Sequence, residues 1–322
     1  MPHVRLFLLT AAAMLAFAGN SLLCRLALKQ SGIDAASFTS VRVLCGGLVL
    51  WLLVRWRSVR QSSLQASGLA ADQAQLPLVM PPAMPPVGPL VVPFVAQGNW
   101  GSATALFVYA AGFSFAYVSL PAASGALLLF GAVQATMLGF AWWRGERFGV
   151  QQIAGLLLAL CGLLGLLLPG LSAPPLLGAL LMICAGVAWG LYSLRAKSHG
   201  NPAGDPTAVT AGNFLRATPM ALALSLCTLS SARFDGQGLL LAAASGALAS
   251  GLGYAIWYTA LPHLKASSAA TVQLSVPVIA ALGGVLLLNE ALSLRLALAV
   301  PAILGGIALV LLGKAQRAKP SV

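Results

Sequence analysis

The chain has 322 residues, 59% of them hydrophobic and only 7% charged, with a net charge of +12 and a mean hydropathy of +0.90. Soluble domains carry about a quarter charged residues, so an ordinary soluble fold is excluded and the sequence reads as an all-α integral membrane protein. In a soluble chain this basic excess would suggest nucleic acid, but here the 18 Lys and Arg stand singly at the ends of apolar runs. That is the placement of topology determinants, and no nucleic-acid partner is expected.

A helix needs about 20 apolar residues to cross a hydrocarbon core about 30 Å thick, and ten such runs occur. The first, Leu6–Leu28, follows Arg5 and contains Ala16-Phe17-Ala18, which also suits a signal-peptide cleavage site. Because the run continues through Leu22-Leu23 and has a counterpart in the second half, it reads as a retained span. Midway along it, Gly19-Asn20-Ser21 is expected to break the helix and leave backbone groups for a neighbour or a ligand to satisfy. The second run, Ser37–Val54, carries Arg42 near its start. Between Arg55 and Gly98 come Pro77, Pro81-Pro82, Pro85-Pro86, Pro89 and Pro93. Proline this dense cannot continue a helix and reads as a linker inserted at about 61–98.

The third run, Ser102–Ser119, places Tyr109, Phe113 and Tyr117 four residues apart on one helical face. The fourth, Ala122–Trp143, carries Gln134 and is followed by Glu146, and the fifth and sixth are Gly149–Leu168 and Leu176–Leu194. The seventh, Thr207–Leu229, holds Arg216, and the eighth, Gly238–Leu261, holds Tyr254, Trp257 and Tyr258. The ninth, Ala266–Leu288, contains Gln273 and leads to Glu290, and the tenth is Leu294–Leu312.

Two stretches look like copies. Tyr117 is followed by Leu120-Pro121, Ser124 and an apolar run to Glu146, while Tyr258 is followed by Leu261-Pro262, Ser267 and an apolar run to Glu290. In each copy a Tyr sits four residues before the Pro, and one further apolar run comes after the Glu. The repeat divides the chain into halves, 1–170 and 171–322, of five spans each. Five is odd, so the copies must cross the membrane in opposite senses. An inverted 5+5 repeat is the arrangement of many secondary transporters, with the substrate near the midplane where the halves meet. With a cytoplasmic N-terminus, the inside segments hold Arg5, Arg55, Arg57, Arg60, Arg144, Arg147, Arg195, Lys197, Lys265, Lys314, Arg317 and Lys319, and the outside keeps Arg25, Lys29, Arg233 and Arg295. Both termini are therefore expected in the cytoplasm.

Polar groups in hydrocarbon are costly and tend to face a cavity or the bundle interior. Arg42 and Arg216 either snorkel to an interface or serve a cavity. Phe113, Tyr117, Tyr254, Trp257 and Tyr258 are expected to form two opposed aromatic faces, or else, at the helix ends, an interfacial belt. Gln134 and Gln273 either orient a substrate or join two helices. Glu146, between Arg144 and Arg147, and Glu290, with Arg295 nearby, are read first as interface ion pairs because both lie at span ends. Gly46-Gly47, Gly155, Gly162, Gly165, Gly283-Gly284 and Gly305-Gly306 have the small-residue character of close helix packing. The five cysteines (Cys24, Cys45, Cys161, Cys184 and Cys227) all fall in apolar runs without metal-type spacing. No phosphate loop, no HExxH and no pair of intramembrane carboxylates occurs, so neither a metal, a cofactor nor an enzyme is expected.

Several of these pieces together resemble the EamA-type ten-helix transporters of the drug/metabolite transporter superfamily. They are Gly19-Asn20, Arg42, Gly112 to Tyr117, Gly125 to Phe130 with Gly131-Ala132-Val133-Gln134, Gly145-Glu146-Arg147, Gly253 to Tyr258, and Asn289-Glu290. The resemblance covers nearly the whole chain apart from the Pro-rich insertion and the C-terminal tail. One departure is that the proline often seen in the fourth and ninth spans is present only as Pro277, with Val133-Gln134 in the fourth. It implies a carrier in the inner membrane of a bacterium, monomeric or homodimeric, that exports metabolites or amino acids. A lipid-handling flippase-like protein and a non-transporting accessory subunit are the alternatives.

The site is expected between the third, fourth, eighth and ninth spans. There Phe113, Tyr117, Tyr254, Trp257 and Tyr258 form the walls, Asn20, Gln134 and Gln273 orient the solute, and Arg42 or Arg216 meets a carboxylate. With no carboxylate deep in the membrane, any coupling falls to Glu146 or Glu290 at the cavity mouth.

Overall fold

The computed structural model describes residues 2–73, 97–145, 148–168, 173–198, 205–264 and 272–317. Among them every regular element is helical. In chain order these are α1 (His3–Gln30), α2 (Ala35–Gln73), α3 (Trp100–Ser119), α4 (Ala122–Trp143), α5 (Val150–Leu167), α6 (Leu176–Ser198) and α7 (Pro206–Cys227). Next comes α8, one continuous run over Gly236–His263, followed by α9 (Ser275–Leu288) and α10 (Leu294–Arg317).

Over the described residues, α1, α2, α3, α4, α6 and α8 are long and apolar enough to cross a membrane. This is a multi-pass membrane protein. The remaining four helices are shorter or more polar. α7 matches α4 at 22 residues but carries Asn213, Arg216 and three threonines. The 14 residues of α9 rise only about 21 Å, less than a bilayer core; the stretch before it, 265–271, lies outside the described residues.

Two expectations need correction. α2 stays helical to Gln73, so the linker begins later than position 61; nothing before Pro77 in that stretch stops a helix, because Gln, Ser, Leu and Ala all tolerate it. The prolines themselves, Pro77 to Pro93, lie outside the described residues. The second correction is that α1 is unbroken through Gly19-Asn20-Ser21. The irregular backbone lies opposite, in α8, where Ser245–Leu252 is wound as a π-helix. Its sequence, SGALASGL, is nearly all small residues, and π turns are rare and often mark functional sites.

Large apolar side chains such as Leu15, Leu48, Leu157, Leu180, Leu240 and Leu286 point outward, while alanines dominate the buried set. In lipid the outward Leu loses nothing, so helices associate where small residues let backbones approach. The α5–α10 seam shows this most clearly: a Cβ on Gly155 would lie 2.5 Å from the Gly306 carbonyl oxygen, and one on Gly162 would lie 2.8 Å from the Ala302 Cβ. Gly165 and Gly305 instead face open space.

The inter-half pairings come in matched sets. α3 packs on α6 and α8 on α1, α4 on α6 and α9 on α1, α3 on α7 and α8 on α2, while α2 packs on α7 and α5 on α10.

At one end of the bundle Asp34 caps α2 and ties it to the α7–α8 connection. Its Oδ1 accepts from the backbone N–H of Ala36 and Ser37, each at 3.0 Å, and its Oδ2 from that of Arg233 at 3.0 Å. Burial pushes this carboxyl up, but the Ser37 side chain and those backbone donors outweigh it and hold it below its ordinary value of 3.8. A depressed pKa stabilises the fold above the unfolded value of about 3.9, and the contribution disappears as pH falls through the lower folded value. Asp34→Ala is therefore expected to cost roughly 1 kcal/mol at neutral pH, with the gap to the native protein closing in thermal melts below about pH 4.

Candidate functional site

At the centre of the bundle Asn20, Tyr109, Phe113, Trp189, Tyr254 and Gln273 line one cavity, together with Phe17, Ser21, Leu129, Phe130 and Ala249. Asn20 is only 6% exposed and joins three helices: its Nδ2 donates to the Tyr109 hydroxyl at 3.3 Å and its Oδ1 accepts from the Ser245 hydroxyl at 2.6 Å. The second bond lands on the first residue of the π segment. The buried amide of α1 and the irregular turn of α8 thus satisfy one another, and both border the cavity.

The aromatic faces expected on the third and eighth spans meet at Tyr109 and Tyr254, whose hydroxyls lie within hydrogen-bonding reach of one another. Trp189 of α6 packs on both, its ring centroid 4.8 Å from Tyr109 and 5.2 Å from Tyr254, stacked on the latter at 24°. Phe113 continues the wall, 5.5 Å from Tyr109 and 4.8 Å from Tyr117. Trp189 is a lone Trp in an apolar run, and sequence periodicity does not distinguish it from core. The cavity holds about 20 Å³, room for a water and not for a metabolite.

Arg42 stands directly behind this wall. It is 2% exposed, its Nη2 donates to the Ala110 carbonyl at 2.7 Å, and its guanidinium lies 4.9 Å from the Phe113 ring centroid, 5.7 Å from Tyr109 and 5.8 Å from Phe38. Each ring contributes about 0.5–2 kcal/mol by cation–π attraction, which holds the group in place. Rings carry no net charge, however, and Nη1 has no hydrogen-bond partner among the described residues. Gln134 is 3% exposed, one turn along α4 from Phe130, and its Nε2 is likewise unpartnered.

The other expected site residues fall elsewhere. Tyr117 packs behind Phe113, its hydroxyl donating to the Ala122 carbonyl at 3.3 Å. Trp257 lies beside Phe17, 6.0 Å between ring centroids. Tyr258 belongs to a cluster with Tyr192 and Thr210, which joins the cavity wall through Tyr192, stacked on Trp189 at 5.3 Å. There the Asn213 Nδ2 donates to the Tyr192 hydroxyl at 3.4 Å and the Asn213 Oδ1 accepts from the Asn99 backbone N–H at 3.0 Å. Arg216 is at that same end, donating to the Gln97 and Gly212 carbonyls at 2.6 and 3.1 Å. It is not beside Arg42, and its reach is used by the entry of the chain into α3.

Glu290 pairs with Arg25, Oε1 to Nε 3.0 Å, and not with Arg295, which donates instead to the Leu168 carbonyl. The reason is the left-handed Asn289, φ 51°, which ends α9 and turns the chain toward α1; Asn tolerates that conformation better than most residues. The Glu290 Oε2 also accepts from the backbone N–H of Ala122 at 2.8 Å, while the Arg25 Nη1 donates to the Tyr117 and Val118 carbonyls at 2.9 and 3.0 Å. One ion pair thus links α1, the α3–α4 corner and the end of α9. A second cavity of about 260 Å³ lies beside it, lined among others by Ser119, Ser124, Pro174, Glu290 and Ser293. Glu146 lies outside the described residues.

Residues 176–312 match the model of the EamA-like transporter family, a family of membrane transporters of small solutes. The matched span begins with α6 and ends within α10, the second half of the chain. An uncharacterized protein of Pseudomonas aeruginosa is 55% identical over 320 residues, covering 98% of this chain and 99% of its own. A protein of known crystal structure shares the fold at 21% identity with a TM-score of 0.59, covering 99% of this chain and 100% of that one. The family match and the fold agree with the helix-only architecture, and the second half of the chain is a domain of the EamA-like transporter family.

Proposed function

We propose that this protein exports a small amphipathic metabolite across the inner membrane of a bacterium by alternating access, with the central cavity as its substrate site and both termini in the cytoplasm. One observation carries the reading: Asn20 and Gln273 converge on a cavity walled mainly by aromatic rings, the make-up of a small-molecule site. Its contraction to the size of a water fits a resting, closed carrier. The matched inter-half pairings support two inverted five-helix halves, because a two-fold that carries helix n onto helix n+5 generates each of them. The Arg25–Glu290 bridge would close one end of the path.

The test is efflux from proteoliposomes against a broad metabolite panel, comparing the native protein with Asn20→Ala and Tyr254→Ala. Each variant is expected to slow flux of the accepted solute by about tenfold or more at unchanged membrane levels. Full flux from both variants, or no flux of any solute by the native protein, would defeat the proposal.

A further inference from the structure

The six carboxylates of the chain are Asp34, Asp72, Glu146, Asp205, Asp235 and Glu290, and none lies within an apolar run. Asp34 accepts from the start of α2, Asp205 from the Thr207 N–H at the start of α7 and Asp235 from the Gly238 N–H at the start of α8. Glu290 is paired with Arg25 at the bundle end. Asp72 is in the far end of α2, about three turns past Arg60, where the apolar part of that helix stops, and Glu146 follows Arg144 and precedes Arg147 in the sequence. Among the described residues no carboxylate is set against Arg42, although that guanidinium is 2% exposed at mid-bundle. Both side-chain atoms found buried and unpartnered among the described residues, Arg42 Nη1 and Gln134 Nε2, are hydrogen-bond donors. What the site lacks is a negative charge with acceptor atoms.

Resting on the function proposed above, we infer that the substrate is a net monoanion: an apolar carboxylate whose charge is met by Arg42 and whose hydrocarbon or aromatic part lies against Trp189 and Tyr254. The rings of Tyr109 and Phe113 line the cavity on one side and face the Arg42 guanidinium on the other. Parting of the helices to admit the solute displaces those same rings, and Nη1 then offers a charge-assisted bond. A zwitterion such as an amino acid brings its own ammonium and leaves the net charge of the site unchanged, so it is the poorer fit.

The experiment is equilibrium binding to the full-length protein in lipid nanodiscs, using four probes of one shape: 3-phenylpropionate, 3-phenylpropanamide, phenylalanine and 2-phenylethylamine. The acid is expected to bind about tenfold or more tightly than the amide or phenylalanine, and the amine least. Arg42→Gln is expected to erase that preference while amide binding stays within about twofold, and Arg42→Lys to restore part of it. Because the probe series on the native protein is decisive alone, a poorly folding Arg42→Gln would not rescue the idea. Amide or phenylalanine binding as tight as the acid would overturn the inference and leave the transport proposal standing, and so would a chloride requirement for amide binding, which assigns the charge to an inorganic ion. If no probe binds and no solute of the flux panel moves, both fall together.

Discussion

Glu290→Ala is expected to cost roughly 3–5 kcal/mol of stability, the penalty for leaving a buried charge without its partner. Both side chains of the pair are about one-tenth exposed, Arg25 at 11% and Glu290 at 9%, so water from the adjoining cavity replaces the lost carboxylate only in part. The change also removes the acceptor for the Ala122 N–H, which opens α4 and is one of its four unsatisfied donors. Glu290→Gln keeps an acceptor for that donor but removes the charge, and should fall between. Arg25→Leu combined with Glu290→Leu should recover much of the loss, because an apolar pair avoids desolvating two ions. Thermal unfolding in nanodiscs gives the ranking; a Glu290→Ala cost below about 1 kcal/mol would show that the pair behaves as a solvated surface bridge. Cys24, fully buried beside Arg25, reports the structural side: maleimide labelling of this thiol should accelerate when the bridge is cut.

Gly306→Leu is the other large effect. A Cβ at this position meets the Gly155 carbonyl oxygen and lies 2.6 Å from the Ala159 backbone nitrogen. Backbone on both sides cannot rotate away, so α5 and α10 must separate along their seam. Overpacking costs about 1–3 kcal/mol where side chains can yield, and here the upper end or beyond is expected. Gly305→Leu, one residue earlier and facing open space, should change stability by less than about 0.5 kcal/mol. Since no described residue of α5 or α10 lines the central cavity, the fraction of Gly306→Leu that folds should bind substrate normally. Equal losses from the two substitutions would mean that the seam is not a close-packed contact.

The helices were legible because hydropathy at this density leaves few other structures, and even α7 was found despite its threonines. What escaped was whatever depends on long sequence separation or on backbone irregularity. Asn20 was recognisable as a costly amide in a span, but its partner Ser245 is 225 residues away, and nothing local pairs them. Glu290 drew attention to Arg295, five residues on, whereas its partner Arg25 is 265 residues distant. Trp189 and Tyr192 are aromatics in an apolar run, which periodicity does not separate from core, and no local pattern in α7 marks Asn213. A helix break was expected at Gly19-Asn20-Ser21, yet the deformation lies in SGALASGL of α8, where the small residues cost little to rewind. The local polar clue was right about the neighbourhood and wrong about which backbone bends.

The Asn20–Ser245 bond also orders events during synthesis. At about 5–20 residues per second, the 225 residues between them take on the order of ten to forty seconds to translate. Asn20 enters the bilayer within the first helix made, and Tyr109 reaches it well before Ser245 exists. Through that interval one side of the amide has no protein partner, and α1 must persist on hydrophobicity alone. The centre of the protein is therefore finished late, when α8 arrives, and the clasp of Glu290 on Arg25 forms later still, once α9 has followed.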